Sequence, residues 1–121
     1  WLEADVMLPA PGQGALAIQC RADDGAILSF LAEIDEPKAR AETTAEREFL
    51  RVLGAGCAAP VAALATSTTT PRVRLEGLVA SVDGTRMIRV EGEGEAHSIG
   101  EQLAVEALAK GADRILAAIR G

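Results

Sequence analysis

The sequence predicts a small α+β domain: a three-stranded antiparallel sheet covered on one face by helices, preceded by an extended segment and a connecting helix. Three observations carry this. Two strand-like runs, 73–80 and 87–91, flank Asp83-Gly84, a dipeptide suited to the positive φ angles of a tight hairpin. A third such run, 61–66, precedes them. Helical patterns with one apolar side stand before and after the strands, and a sheet with one apolar face buries it under such helices.

Taken in order, Leu8-Pro9-Ala10-Pro11-Gly12-Gln13-Gly14 reads as a loop, because Pro fixes φ and Gly permits unusual backbone angles. Ala15 to Cys20 reads as a short, mostly apolar strand of the kind that lies buried in a sheet. Asp23 or Asp24 caps a helix over 24–35, with Ile27, Leu28, Leu31 and Ile34 on one face, and Pro37 closes the segment. Thr43-Thr44-Ala45-Glu46 fits a capping box, in which a Thr hydroxyl meets the N3 amide and Glu46 reaches back. The helix it opens carries Ala45, Phe49, Val52 and Leu53 on one side, and Gly54 and Gly56 stop it. After the strand at 61–66, Thr66 to Pro71 is a polar loop, and Gly92 to Glu95 is a loop after the hairpin. Ser98 to Glu101 fits a second capping box, whose helix has Ile99, Leu103, Ala107 and Leu108 on one face. Gly111 ends that helix, and Asp113 caps a last short one with Ile115, Leu116 and Ile119. There is no internal repeat.

Apolar residues make up 49% of the 121 residues, enough for a packed core. Tyr is absent, and with two Phe and one Trp the core must be Ala, Leu, Ile and Val. The net charge of −6 argues against nucleic acid or an anionic membrane surface as partner, since both need clustered Lys and Arg. Aromatic platforms for single strands are missing too. No apolar run is long enough to span a membrane, and the start is not the basic opening of a signal peptide, so a cytosolic protein is the default expectation. The chain opens without Met, and a piece of something longer is one reading of that.

Cys57 is the residue that most needs explaining. It follows a helical run and two glycines and precedes a strand, where a bulky electrophile could reach it. The helix before it would aim its partly negative C-terminus at the thiol, which does not favour a thiolate, and the nearest cation in sequence is Arg51. By composition alone, a small buried filler outweighs a covalent attachment point. Cys20, at the end of an apolar run, reads as structural, and a disulfide between the two is not expected in a reducing compartment. Their separation is not a metal spacing, and His97, the one histidine, completes neither a metal site nor a Ser/His/Asp set. It reads as solvated, as does the run Glu91, Glu93, Glu95, where a metal site is the weaker alternative. Gln13 stands between two glycines; ligand binding and plain turn chemistry explain it equally well.

Three stretches together go further. They are Leu8-Pro9-Ala10-Pro11-Gly12-Gln13-Gly14-Ala15 with Ile18-Gln19-Cys20-Arg21 and Asp23-Asp24; Thr44-Ala45-Glu46-Arg47 with Phe49-Leu50; and Gly56-Cys57-Ala58-Ala59-Pro60-Val61. In this order and spacing the chain resembles the C-terminal third of the hydroxymethylbilane synthases, also called porphobilinogen deaminases. Gly77-Leu78-Val79, Asp83-Gly84 and Lys110-Gly111-Ala112 extend the resemblance over nearly the whole chain. It implies a remnant of the first domain at 1–22, a connection at 23–42 and the C-terminal domain at 43–121. It implies a transferase that joins four porphobilinogen units, with loss of ammonia, onto a dipyrromethane cofactor, giving hydroxymethylbilane for haem biosynthesis. The cofactor would hang from Cys57 by a thioether, and Gln13, Gly14 and Pro11 would line the pyrrole cleft. The substrate, porphobilinogen, and the growing pyrrole chain would be the partners.

The sequence departs from the family's pattern at Ala55, where a glycine is usual, and at Ala58, where a longer polar residue is common. The family's catalytic aspartate and its carboxylate-binding arginines have no counterpart in this sequence. The expectation is therefore an inactive chain with no catalytic residue, a free Cys57 thiol and no bound cofactor. Residues 8–20, without the strands they would pair with, are expected to be disordered or to self-associate. The alternatives are a non-catalytic interaction module, which would need neither the Gln13 loop nor Cys57, and a thiol regulatory module, which would need a depressed thiol pKa.

Overall fold

A computed structural model of the chain describes residues 2–56, 58–69 and 71–120, with Arg120 as backbone only. Helices α1 (Gly25–Ile34) and α2 (Pro37–Val52) lead to strands β1 (Val61–Thr69), β2 (Arg72–Ala80) and β3 (Met87–Glu95), and helices α3 (Ala96–Ala109) and α4 (Ala112–Arg120) follow. The strands form one antiparallel sheet in the order β1-β2-β3, as the alternating runs and the Asp83-Gly84 signal predict. In the turn, Gly84 takes φ +71° and Ser81 N–H donates to Arg86 O at 2.8 Å. The Asp83 carboxylate accepts from the hydroxyls of Ser81 and Thr85 and from Thr85 N–H.

The register decides what each face carries. Val61, Ala63 and Ala65 on β1 pair with Val79, Gly77 and Leu75 on β2, and Gly77 pairs with Val90 on β3. These residues share one face, which α2 and α3 cover. Phe49 of α2 is fully buried and lies so close to Gly77 that a Cβ there would stand 2.5 Å from its ring. The other face is wet and ion-paired: Arg74 with Glu91 at 2.9 Å, Arg89 with Glu76 at 3.0 Å, Arg72 with Glu93 at 3.7 Å. Glu91 and Glu93 are thus members of a cross-strand charge ladder, worth little individually at exposed sites.

Several local expectations are corrected. β1 runs on through Thr69, so most of the expected Thr66–Pro71 loop is strand, and α4 begins at Ala112, with Asp113 inside its first turn rather than capping it. The second helix does not begin at the Thr43-Thr44-Ala45-Glu46 box but at Pro37, which sits in the first turn where a missing N–H costs nothing. Glu36 caps it by accepting from Lys38 N–H (3.1 Å) and Ala39 N–H (2.6 Å). Thr43 is then inside the helix, with its hydroxyl donating to Ala39 O at 2.7 Å. The helix over 98–109 likewise starts earlier, at Ala96 after Glu95, because burial of Ala96 and Ile99 draws the chain straight from strand to helix. Gly92 and Gly94 belong to β3 rather than to a loop; a Cβ would come within 3.1 Å and 3.3 Å of Ile99, so close approach of α3 explains them. Residues 15–20 form no strand: Leu16 is 98% and Ile18 62% exposed. An apolar run makes a strand only beside a partner edge, and no described strand pairs with it. For the same reason α1, capped by Asp24 as predicted, has no buried residue on its apolar face.

Candidate functional site

Residues 9–14 fold into a tight loop at the β1 edge of the sheet. Gln13 N–H donates to Ala10 O (3.1 Å), and Ala10 N–H returns to Gln13 Oε1 (3.2 Å). Gly12 and Gly14 have φ of +74° and +88°, where a side chain would be strained. Leu8, just before, is buried. Pro11 is half-buried, whereas Gln13 and Gly14 are exposed, so the three residues singled out in the sequence stand in one loop with its tip in solvent.

The loop is fastened to the sheet. Ala63 N–H donates to Pro9 O at 3.0 Å. Glu46 of α2, only 6% exposed, accepts from Gly12 N–H through Oε2 at 2.7 Å and from Ala65 N–H through Oε1 at 2.8 Å. One turn earlier, Glu42 accepts from Ser67 N–H at 2.8 Å. Ala63, Ala65 and Ser67 are the alternate residues of β1 whose amides point away from β2. The loop and two carboxylates therefore satisfy donors that an open edge would leave unpaired. Burial pushes the Glu46 carboxyl above its ordinary value; the Ala65 and Gly12 amides pull it back in part, and the charge of Glu42 adds to the rise.

Cys57 lies outside the described residues. On either side of it, Gly56 and Ala58 are exposed, and Gly54 takes φ +60° after α2, as its helix-stopping role predicts. Ala59 N–H donates to Gly56 O at 3.0 Å, and Ala80 N–H donates to Pro60 O at 3.1 Å, which ties this approach to β1 onto the sheet.

Cys20 is a half-buried free thiol. It lines an open groove of about 770 Å³ between residues 15–20, α1 and α2, with Leu16, Ile18, Leu28, Leu31 and Arg47. Arg40, also in the groove, is held by both oxygens of Asp35, at 2.6 and 2.7 Å. His97 is exposed at the start of α3. Among the described residues, no three His, Cys, Asp or Glu side chains come together as a metal site, and no helix is long and apolar enough to cross a membrane.

The family model for the C-terminal domain of porphobilinogen deaminase matches residues 40–109. The chain belongs to the porphobilinogen deaminase family. A second model, for that enzyme's dipyrromethane cofactor binding domain, matches residues 1–29. Porphobilinogen deaminase 1 of Streptomyces coelicolor is 45% identical over 93% of this chain and 39% of its own length. The porphobilinogen deaminases of Pelotomaculum thermopropionicum and Deinococcus radiodurans are 46% and 42% identical, over 93% and 99% of this chain and 36% and 40% of theirs. The chain spans about two fifths of the length of the curated relatives it matches.

Glu46 was not legible as a loop clasp from the sequence, where it reads as part of a helix cap. A signal was present. Glu42 and Glu46 are like charges at i, i+4, which weakens an isolated helix and suggests partners outside it.

Proposed function

We propose that the chain is the C-terminal part of a hydroxymethylbilane synthase, a cytoplasmic transferase that condenses four porphobilinogen units with loss of ammonia. The family match over both 1–29 and 40–109 carries this reading. In it, residues 1–22 complete the first domain, 23–42 connect, and 43–121 form the cofactor-carrying domain. Cys57 holds dipyrromethane through a thioether, a bond suited to a soft sulfur nucleophile. When bound, that group supplies the pyrrole end to which substrate units are added.

The described residues fit one wall of such a cleft. The Gln13 amide and the Gly14 backbone are exposed, and a Cβ at Gly14 would meet nothing within 4 Å, so a flat ring can approach the main chain there. Pro11 stiffens the loop, and the Gln13 amide orients a carboxylate or a pyrrole by hydrogen bonding. They do not fit the polycarboxylate as a whole. Net charge is −6, and Arg21, Arg40, Arg51, Arg72, Arg74 and Arg89 are already paired with carboxylates. The 121-residue chain alone is accordingly inactive and carries a free Cys57 thiol. Residues 15–20, exposed and without a strand partner, promote self-association, whereas 8–14 are already engaged with β1.

Intact mass tests the reading. The parent enzyme should carry an excess of two linked pyrrole units that Cys57→Ser abolishes, and the 121-residue chain should carry none after incubation with porphobilinogen. A parent of unmodified mass, or measurable porphobilinogen consumption by the short chain, refutes it. Sedimentation at rising concentration tests the self-association: a strict monomer would refute it.

A further inference from the structure

We propose that Glu46 is the positioning residue of the glycine loop: one carboxylate clasps Gly12 and Ala65 together and so sets where Gln13 and Gly14 stand relative to β1. The importance of that placement for pyrrole binding rests on the function proposed above; the clasp itself does not. Glu46 joins three stretches remote in sequence, reaching 34 residues back to the loop and 19 forward to the strand. Each carboxylate oxygen takes one N–H, so the two bonds demand a group with two acceptors and no donor. The other main-chain tie, Pro9 O to Ala63 N–H, holds the entrance of the loop and leaves its tip free to pivot. Gly12 is where the pivot is stopped, one residue before Gln13. β1 begins at Val61, four residues after Cys57 in sequence, so the clasp also links the loop to the strand that follows the anchoring thiol.

A buried carboxylate is a poor stabiliser and a good locator: burial disfavours its charge, yet hydrogen bonds to an ion are short and directional. Neither residues 9–14 nor β1 carries a titratable side chain. Glu42, on α2 itself, is the charged group whose field reaches Glu46 among the described residues.

Glu46→Gln separates positioning from packing. The amide has the same shape but one acceptor, and its NH2 would face one of the two N–H donors. The test is amide NMR and hydrogen exchange on the 121-residue chain between about pH 4 and 8, spanning the ordinary Glu range and above. In the wild type the Gly12 and Ala65 amide protons should titrate together, with one midpoint above that of an ordinary Glu. In Glu46→Gln neither should titrate, and Gly12 exchange should accelerate about 10- to 100-fold, the loss expected for one bond to a charged acceptor. The exchange of the Ser67 amide, whose bond to Glu42 is left in place, should stay within about twofold of wild type at the upper end of that pH range. Should Glu46→Gln fail to fold, Glu46→Asp retains the charge but is too short for both donors, and the same acceleration at Gly12 is expected. Wild-type amides that do not titrate, or Gly12 exchange within twofold of wild type in either variant, overturn the proposal. No pyrrole enters these measurements. The clasp and the proposed function, tested by the mass of Cys57, therefore fail separately.

Discussion

Replacing Gly100 by alanine should destabilise the protein, although helix propensity alone predicts the reverse. Gly100 lies within α3, where a glycine costs about 1 kcal/mol relative to alanine. A Cβ at that position would stand 2.6 Å from Ala45 O, 2.8 Å from Glu48 Cβ and 3.0 Å from Phe49 N on α2. Ordinary contact would require α2 and α3 to separate by about 0.8 Å, and two of the three obstructing atoms are backbone that no rotamer change can move. Phe49 and Ala45 are fully buried, so the separation opens the core beneath them. Overpacking of this kind costs about 1–3 kcal/mol, and the upper part of that range applies because the neighbours cannot yield. Against a propensity gain of about 1 kcal/mol, the net loss should be about 1–2 kcal/mol. Urea unfolding followed by far-UV circular dichroism should show the midpoint falling by about 0.5–1 M at unchanged slope. A midpoint equal to or above that of the wild type would refute the reasoning, because it would mean that the two helices part at negligible cost.

Glu36→Ala removes both acceptors at the start of α2 and should cost about 1 kcal/mol in the same unfolding assay; no change would mean that Pro37 alone sets the helix start. Because the Glu46 carboxyl is raised, its favourable contribution is complete below the ordinary Glu value and is lost as pH rises through the raised one. The stability of the wild type minus that of Glu46→Gln should therefore fall with pH across that window, and a difference that rises there contradicts the assignment. Asp83 is the opposite case: the Ser81 hydroxyl and the Thr85 amide and hydroxyl hold its carboxyl down to about 2, so its contribution is complete above the ordinary Asp value and is lost as pH falls through about 2. Side-chain NMR should find the depressed midpoint, and titration near the ordinary Asp value would show that the hairpin turn is not formed as described.

Local rules served well where the partner is local. The Asp24 cap, the Asp83-Gly84 turn, the apolar stripe of α4 and the alternation of β2 are all readable within about ten residues, and the structure follows them. They failed where two local readings compete. Thr43 to Glu46 has the residue types of a capping box, yet Pro37 and Glu36 offer an earlier start, and a longer helix buries Ala41 as well as Ala45. Gly92 and Gly94 look like a loop until Ile99 lies across them. The Pro9–Gly14 turn was legible from its Pro and Gly residues, but its attachment to β1 was not.

By itself the sequence determined the α+β class, the order of the elements and the resemblance that family matching establishes, because periodicity, turn chemistry and motif spacing are properties of neighbouring residues. Only the tertiary structure decided which amides Glu46 accepts, that Glu42 and Glu46 close the edge of β1, and that residues 15–20 and α1 keep their apolar side chains in solvent. The physical reason is the same in each case. A hydrogen bond or a buried face depends on what stands within a few ångströms, and here those partners lie 19 to 34 residues away along the chain or on no described element.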